Sequence, residues 1–212
     1  MHHLDTLIMA ETRLASCREE IVKVFELLRT CFEGGNKLLV CGNGGSSADA
    51  GHIVGELMKD FLFHRPLPSG ILSKLRERSP DARAAFLEKN LHAGLPAISL
   101  SAHESLLTAM LNDMNPELIF AQQVLGYGRP GDVLLAISTS GNSKNVLHAA
   151  WLAARLGLGV VALTGGSGGE LKELADAAVV APADATTLIQ EFHLKIYHVL
   201  CAMLEETFFG SA

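Results

Sequence analysis

The chain has 212 residues, 49% of them apolar and only 19% charged, with a formal net charge of -6. The length suits one domain with a large core, and the absence of any basic run excludes a nucleic-acid surface. No apolar stretch approaches the ~18 residues of a membrane span and the N-terminus has no signal-peptide apolar core, so no membrane partner and a cytoplasmic location are expected.

Charge this sparse, against a typical ~25%, leaves little surface to solvate a monomer. It predicts helices covered on both sides and a homo-oligomer. Cys17, Cys31, Cys41 and Cys201 show no CxxC spacing and are expected as thiols of a reducing compartment.

Residues 2 to about 33 follow one long helical pattern, with Leu4, Leu7, Ile8, Leu14, Ile21, Val24, Phe25 and Leu28 among its apolar face and Gly34-Gly35 as its stop. Lys37 to Cys41 is a buried strand. The turn Gly42-Asn43-Gly44-Gly45-Ser46-Ser47 and a helix from about Ala48 to Phe61 follow. The turn is not GxGxxG, which argues against a dinucleotide. His64 to Pro68 is a turn. Residues 69 to 94 read as a helical addition to the core. Ser79-Pro80-Asp81 marks the start of a helix running to about Leu91 and burying Ala85, Phe86 and Leu87.

Leu95 to Leu100 is the next strand, followed by helices from about Glu104 to Leu111 and Pro116 to Leu125. The stretch from Gly131 to Val146, GDVLLAISTSGNSKNV, joins a buried strand to a helix through a turn dense in hydroxyls. Ser138, Thr139, Ser140 and Ser143 surpass what capping one helix requires. Free amides and the dipole at a helix start favour an anion. No lysine precedes the hydroxyls as in a Walker loop, so a small phosphate monoester fits better than a nucleoside triphosphate. A capped helix after a polar turn is the alternative. Gly159 to Thr164 and Ala177 to Val180 are further strands, and a helix from about Thr186 to Phe209 ends the pattern. Strands alternating with helices predict an α/β fold, an open parallel sheet with helices on both faces.

His52 and Glu56 are four apart on a predicted helix, about 40° apart in direction, so both can face one site. On the last helix Gln190, Glu191, His193 and His198 are the polar members of an apolar run. His52, Glu56, Gln190 and His198 form a candidate N/O metal set or acid/base group. The alternative for each histidine is a satisfied core residue. His193 and Glu191 are read as structural.

CGNGGSSADAGH, GDVLLAISTSGNSKNV, VALTGG and IQEFHLKIYH together resemble the SIS (sugar isomerase) domain family, and more narrowly its phosphoheptose isomerases. The resemblance spans nearly the whole chain except residues 69 to 94, as one domain over residues 1–212. It implies a five-stranded parallel sheet, a homotetramer with active sites between subunits, and conversion of sedoheptulose 7-phosphate to D-glycero-D-manno-heptose 7-phosphate. It assigns the phosphate to Ser138, Thr139, Ser140 and Ser143, the sugar to Asn43 and Ser46, and acid/base roles to Glu56 and His198. His52, Glu56, Gln190 and His198 match positions that bind zinc in some members. A carboxylate that holds a metal loses basicity, so the two roles of Glu56 are in tension. Three family positions differ: an Asp falls at His103, another at Thr187 and an Arg at Asp60. A non-catalytic relative, such as the bacterial factor that binds the replication initiator, lacks the Glu and the last His. A sugar-phosphate sensor would use the same turns without turnover.

Overall fold

The computed structural model describes residues 1–77 and 82–210. Five parallel strands form one sheet: β1 (Leu38–Gly42), β2 (Ala97–Ser99), β3 (Val133–Ile137), β4 (Gly159–Gly165) and β5 (Ala177–Ala181), in the order β2-β1-β3-β4-β5. Their nearly unbroken apolar sequence follows from burial on both faces. Leu38 and Val40 of β1 and Val133, Leu135 and Ile137 of β3 face one layer. Leu39, Cys41, Leu134 and Ala136 face the other. The first layer comprises α1 (His2–Ala10), α2 (Arg18–Glu33), α3 (Gly45–Met58) and α10 (Thr186–Phe209). The second comprises α7 (Ile119–Tyr127), α8 (Lys144–Arg155) and α9 (Gly169–Leu174), with α6 (Glu104–Asp113) leading into α7. The chain leaves β1 toward one edge of the sheet and β3 toward the other. The carboxyl ends of β1 and β3 therefore flank the switch point where ligands of such sheets bind.

The long N-terminal pattern is broken. A 3₁₀ turn over Thr12–Cys17 separates α1 from α2. A continuous 32-residue helix would be about 48 Å long, more than a domain of this size is across. The break at Glu11 lets α1 fold back antiparallel along α10. Its carboxylate meets Arg13 at 2.7 Å and Lys195 of α10 at 2.8 Å, and His3 lies 3.7 Å from Glu206. The expected apolar face survives the break, with Leu4, Leu14, Ile21, Val24, Phe25 and Leu28 all buried.

The described part of residues 69–94, expected as an addition to the core, carries α4 (Ser69–Arg76) and α5 (Ala82–Asn90). The expected start at Ser79-Pro80-Asp81 lies outside the described residues. The expected burial of α5 does not occur: Ala85 is exposed, Phe86 is 64% exposed, and neither helix has a fully buried residue. These helices pack on each other and have no sheet beneath them, so they lack a layer to bury against. The four cysteines are free and buried. Burial pushes Cys41 and Cys201 up to about 12, which leaves them as inert thiols.

α3 and α10 run side by side in the same direction. Gln190 lies against Gly45 at their N-terminal ends, and Tyr197 and His198 meet Asp49 and His52 midway. Beyond the end of α3, Glu205 receives the chain that leaves it. Its carboxylate accepts hydrogen bonds from the Phe61 and Leu62 amides at 2.8 and 2.6 Å, and from Arg65 Nε at 2.6 Å. Arg65 donates its other nitrogens to the carbonyls of Leu57 and Glu56 at 2.7 and 2.9 Å. A single guanidinium thereby caps two orphan carbonyls at the end of α3. Both charged side chains are fully buried, and the Arg65 guanidinium also lies over the Phe209 ring.

Removing one member of such a pair strands a charge in the core. Glu205→Ala is expected to cost about 3–5 kcal/mol of unfolding free energy. Arg65→Met combined with Glu205→Leu should recover much of that loss in urea denaturation. Equal losses in the single and double variants would show that the pair contributes no such penalty.

Candidate active site

The two polar turns lie side by side at the switch point. After β3, Ser138 is buried, Thr139 and Ser143 are partly covered and Ser140 is exposed. Ser143 occupies the N-cap of α8, yet its hydroxyl does not cap the helix. It faces the Ser138 hydroxyl at 3.0 Å. The capped-helix alternative is therefore not what the fold uses, and the first amides of α8 keep their donors. Gly141 has φ +67°, and a Cβ there would collide with the Gly168 carbonyl, so only glycine fits where this turn crosses the β4–α9 loop. Asn142 bridges the two loops, donating to the Ser140 carbonyl at 3.0 Å and accepting from the Glu170 amide at 3.1 Å.

After β1, the turn enters α3 through Gly44, at φ +54°, with no side-chain cap. Ser46 is buried against Gly42, where a Cβ would lie 2.7 Å from that of Ser46. Asn43 faces Asn145 in the first turn of α8. Each side-chain amide donates to the other's oxygen at 2.9 Å. This reciprocal pair ties the two turns into one rim and leaves the hydroxyls and helix starts around it.

Farther along α3, the predicted four-residue spacing brings two groups together: His52 Nε2 and Glu56 Oε1 are 3.2 Å apart. From α10, His198 presents its Nε2 to His52 Nε2 at 3.4 Å, with the rings edge to face. Phe61 covers the other side of His198, at 5.7 Å between ring centroids. Burial lowers the His198 pKa, and His52 beside it adds to that effect against the pull of Glu56, so the imidazole is held neutral.

A relay behind His52 was not singled out from the sequence. The Tyr197 hydroxyl donates to Asp49 at 3.3 Å and meets His52 Nδ1 at 2.9 Å. With the phenolic proton directed at Asp49, the phenolic oxygen is free to accept from His52 Nδ1. Burial raises the Asp49 pKa, partly offset by the Tyr197 hydrogen bond. Burial and the neighbouring Asp49 push the Tyr197 phenol up, so it stays protonated. The available signals were spacing and adjacency: Asp49 precedes His52 by one helical turn, and Tyr197 adjoins His198.

Gln190 stands apart from this group. Its amide covers Gly45 so closely that a Cβ there would collide with it, and among the described residues no hydrogen bond joins it to His52, Glu56 or His198. The predicted set of four is thus three together and one two turns away. The three suit a zinc ion by donor type. Ligand atoms about 2.0–2.1 Å from a tetrahedral zinc stand about 3.3 Å apart; the two contacts at His52 Nε2, 3.2 and 3.4 Å, match this, but Glu56 and His198 stand apart, and the three ligand atoms do not all lie within 4.8 Å of one another. The Tyr197–Asp49 relay on Nδ1 is the kind of outer partner that orients a metal-bound imidazole. His193, read as structural, is fully buried and donates from Nε2 to the Thr164 carbonyl at 3.1 Å. Among the three positions that differ from the family pattern, Asp60 faces His64 and His92, His103 stacks beside Tyr127, and Thr187 is exposed.

Comparison with known proteins identifies the family. The pattern of the SIS domain matches residues 9–90 and 82–165. A phosphoheptose isomerase of Akkermansia muciniphila is 38% identical over 197 residues, covering 93% of this chain and 90% of that protein. The structure of a phosphoheptose isomerase from Neisseria gonorrhoeae superposes with a TM-score of 0.74 at 32% identity, covering 97% of this chain and 96% of the other. One from Francisella tularensis gives 0.75 at 34%, covering 95% and 94%. The chain belongs to the SIS domain family and, within it, to the family of the phosphoheptose isomerases.

Proposed function

We propose that this chain is a phosphosugar isomerase interconverting sedoheptulose 7-phosphate and D-glycero-D-manno-heptose 7-phosphate. The observation that carries the chemistry is the meeting of Glu56 and His198 at one imidazole, with Glu56 3.2 Å and His198 3.4 Å from His52 Nε2. That arrangement suits proton transfer at adjacent carbons. A base takes the proton from C1 beside the ketone, a cis-enediol forms, and C2 is reprotonated while the hydroxyl proton moves from O1 to O2. The product is an isomer, so no oxidant or reductant is required.

In this reading Ser138, Thr139, Ser140 and Ser143 hold the phosphate with the first amides of α8. Asn43 and Ser46 meet the sugar. Glu56 and His198 are the acid/base pair. The Tyr197–Asp49 relay fixes the ring of His52. His52, His198 and Glu56 would hold zinc, with Gln190 as the family's fourth ligand, and bound zinc would polarise the carbonyl and hydroxyl oxygens of the sugar. The set favours zinc in an orienting role as long as Glu56 is needed as the base.

We also read the chain as one domain with α4 and α5 as its addition, working in the cytoplasm as a homotetramer. No helix among the described residues is long and apolar enough to cross a membrane. Large apolar side chains left in solvent, including Met58, Leu62, Leu111, Leu125 and Trp151, support the same assembly.

Incubation of the protein with sedoheptulose 7-phosphate in deuterated water should put deuterium on the carbon next to the carbonyl. Glu56→Gln and His198→Ala should each lower kcat by roughly 10²–10⁴-fold with unchanged circular dichroism. A panel of ketose phosphates that shows no exchange would overturn the isomerase reading. Ser138→Ala should act mainly on KM, raising it by roughly tenfold or more, the worth of a hydrogen bond to a charged group. Protein purified without chelators should carry zinc that His52→Ala loses. Zinc retained by that variant counts against the assigned ligands.

A further inference from the structure

We propose a second metal site, at Asp60, His64 and His92, that takes a divalent transition ion of the zinc class. It shares no ligand with His52, Glu56 and His198. Asp60 and His64 lie on the segment between α3 and α4, and His92 follows α5. The Asp60 carboxylate stands between the two imidazoles: Oδ2 is 3.0 Å from His64 Nδ1 and Oδ1 is 3.0 Å from His92 Nδ1. The rings meet edge to face with centroids 5.5 Å apart. Among the described residues, this is the group of histidine and acidic side chains whose ligand atoms all lie within 4.8 Å of one another.

The backbone holds the trio in place. The Arg65 amide donates to Asp60 Oδ1 at 2.9 Å, and the Ala93 amide donates to the Arg65 carbonyl at 2.9 Å. The segments entering and leaving the α4–α5 hairpin therefore cross at the point where the three side chains converge. Arg65 itself is immobilised by its buried pair with Glu205. The neighbouring Lys59 ammonium is turned to the Asp60 backbone carbonyl at 2.9 Å and to Glu56 at 3.6 Å, away from the carboxylate.

Two imidazole nitrogens and one carboxylate oxygen suit zinc, nickel or cobalt over magnesium or calcium, which prefer all-oxygen shells. Binding would replace the Nδ1 protons of His64 and His92, and three protein ligands leave a position for water. His64 and His92 bracket the hairpin, so the ion would clasp its two ends.

The test uses the full chain carrying His52→Ala and His198→Ala, stripped of metal and titrated with Co²⁺ by visible absorption, then with Zn²⁺ in competition. One Co²⁺ per chain should still bind. Adding either His64→Ala or His92→Ala should weaken it at least about tenfold, the range seen when even an outer partner of a metal ligand is lost. Zn²⁺ should also slow tryptic cutting at Lys74 in the double variant, but not once His92→Ala is added. Both histidines are solvent-facing, so circular dichroism should be unchanged. Absence of Co²⁺ binding in the double variant overturns the proposal. So does binding that neither His64→Ala nor His92→Ala weakens.

Discussion

The buried pair of Arg65 and Glu205 is the constraint on which the rest of the site depends. Two charges are taken fully out of water, and each is matched by hydrogen bonds that would otherwise be missing. Glu205 satisfies the amides of a chain leaving a helix. Arg65 satisfies the carbonyls of the helix that chain has left. The pair therefore fixes where α3 stops, and Glu56 sits at one of the two carbonyls it caps. An apolar pair of similar volume would fill the space without prescribing the end of α3. This pair is better understood as a positioning device than as a source of net stability.

The alignment of α3 with α10 carries that constraint down the molecule. Because the helices run in the same direction, contacts recur along them: Gln190 on Gly45, Tyr197 and His198 on Asp49 and His52, and Glu205 on the loop after Met58. Each successive contact has a different character, from close backbone approach to proton relay to buried charge. The proposed acid/base groups occupy the middle, where the helices are held from both ends. The proposed phosphate cradle has a separate support. The glycines at 141, 168 and 169 let two loops cross, and the Asn43–Asn145 pair joins the rim.

Much of this was legible in the sequence. The five strands are apolar runs bounded by glycine or polar turns, and local pattern is enough to find them. His52 and Glu56 could be placed together because helical spacing alone decides it. Gln190 was harder, since its partner depends on how two helices distant in sequence align. Arg65, Glu205 and Tyr197 went unmarked for the same reason: their meaning lies in pairings across about 140 residues. The break at Glu11 depends on Lys195 in a similar way. Phe86 shows the opposite case, where a locally sound helix has no layer to bury against.

The parallel course of α3 and α10 has an electrostatic consequence. Their N-termini lie at the same end, and α8 begins beside α3 at the Asn43–Asn145 pair, so three positive helix ends gather at one rim. The chain as a whole carries a net charge of -6. If the rim is the phosphate site proposed above, a doubly charged phosphate is repelled at a distance and welcomed only within the last turn of approach, because helix-end fields are short in range while net charge acts over a Debye length. Capture is therefore a local event rather than a steered one. Added salt screens the distant repulsion more than the close contacts, so moderate ionic strength aids encounter with the anion, the reverse of the behaviour of a basic phosphate-binding cleft.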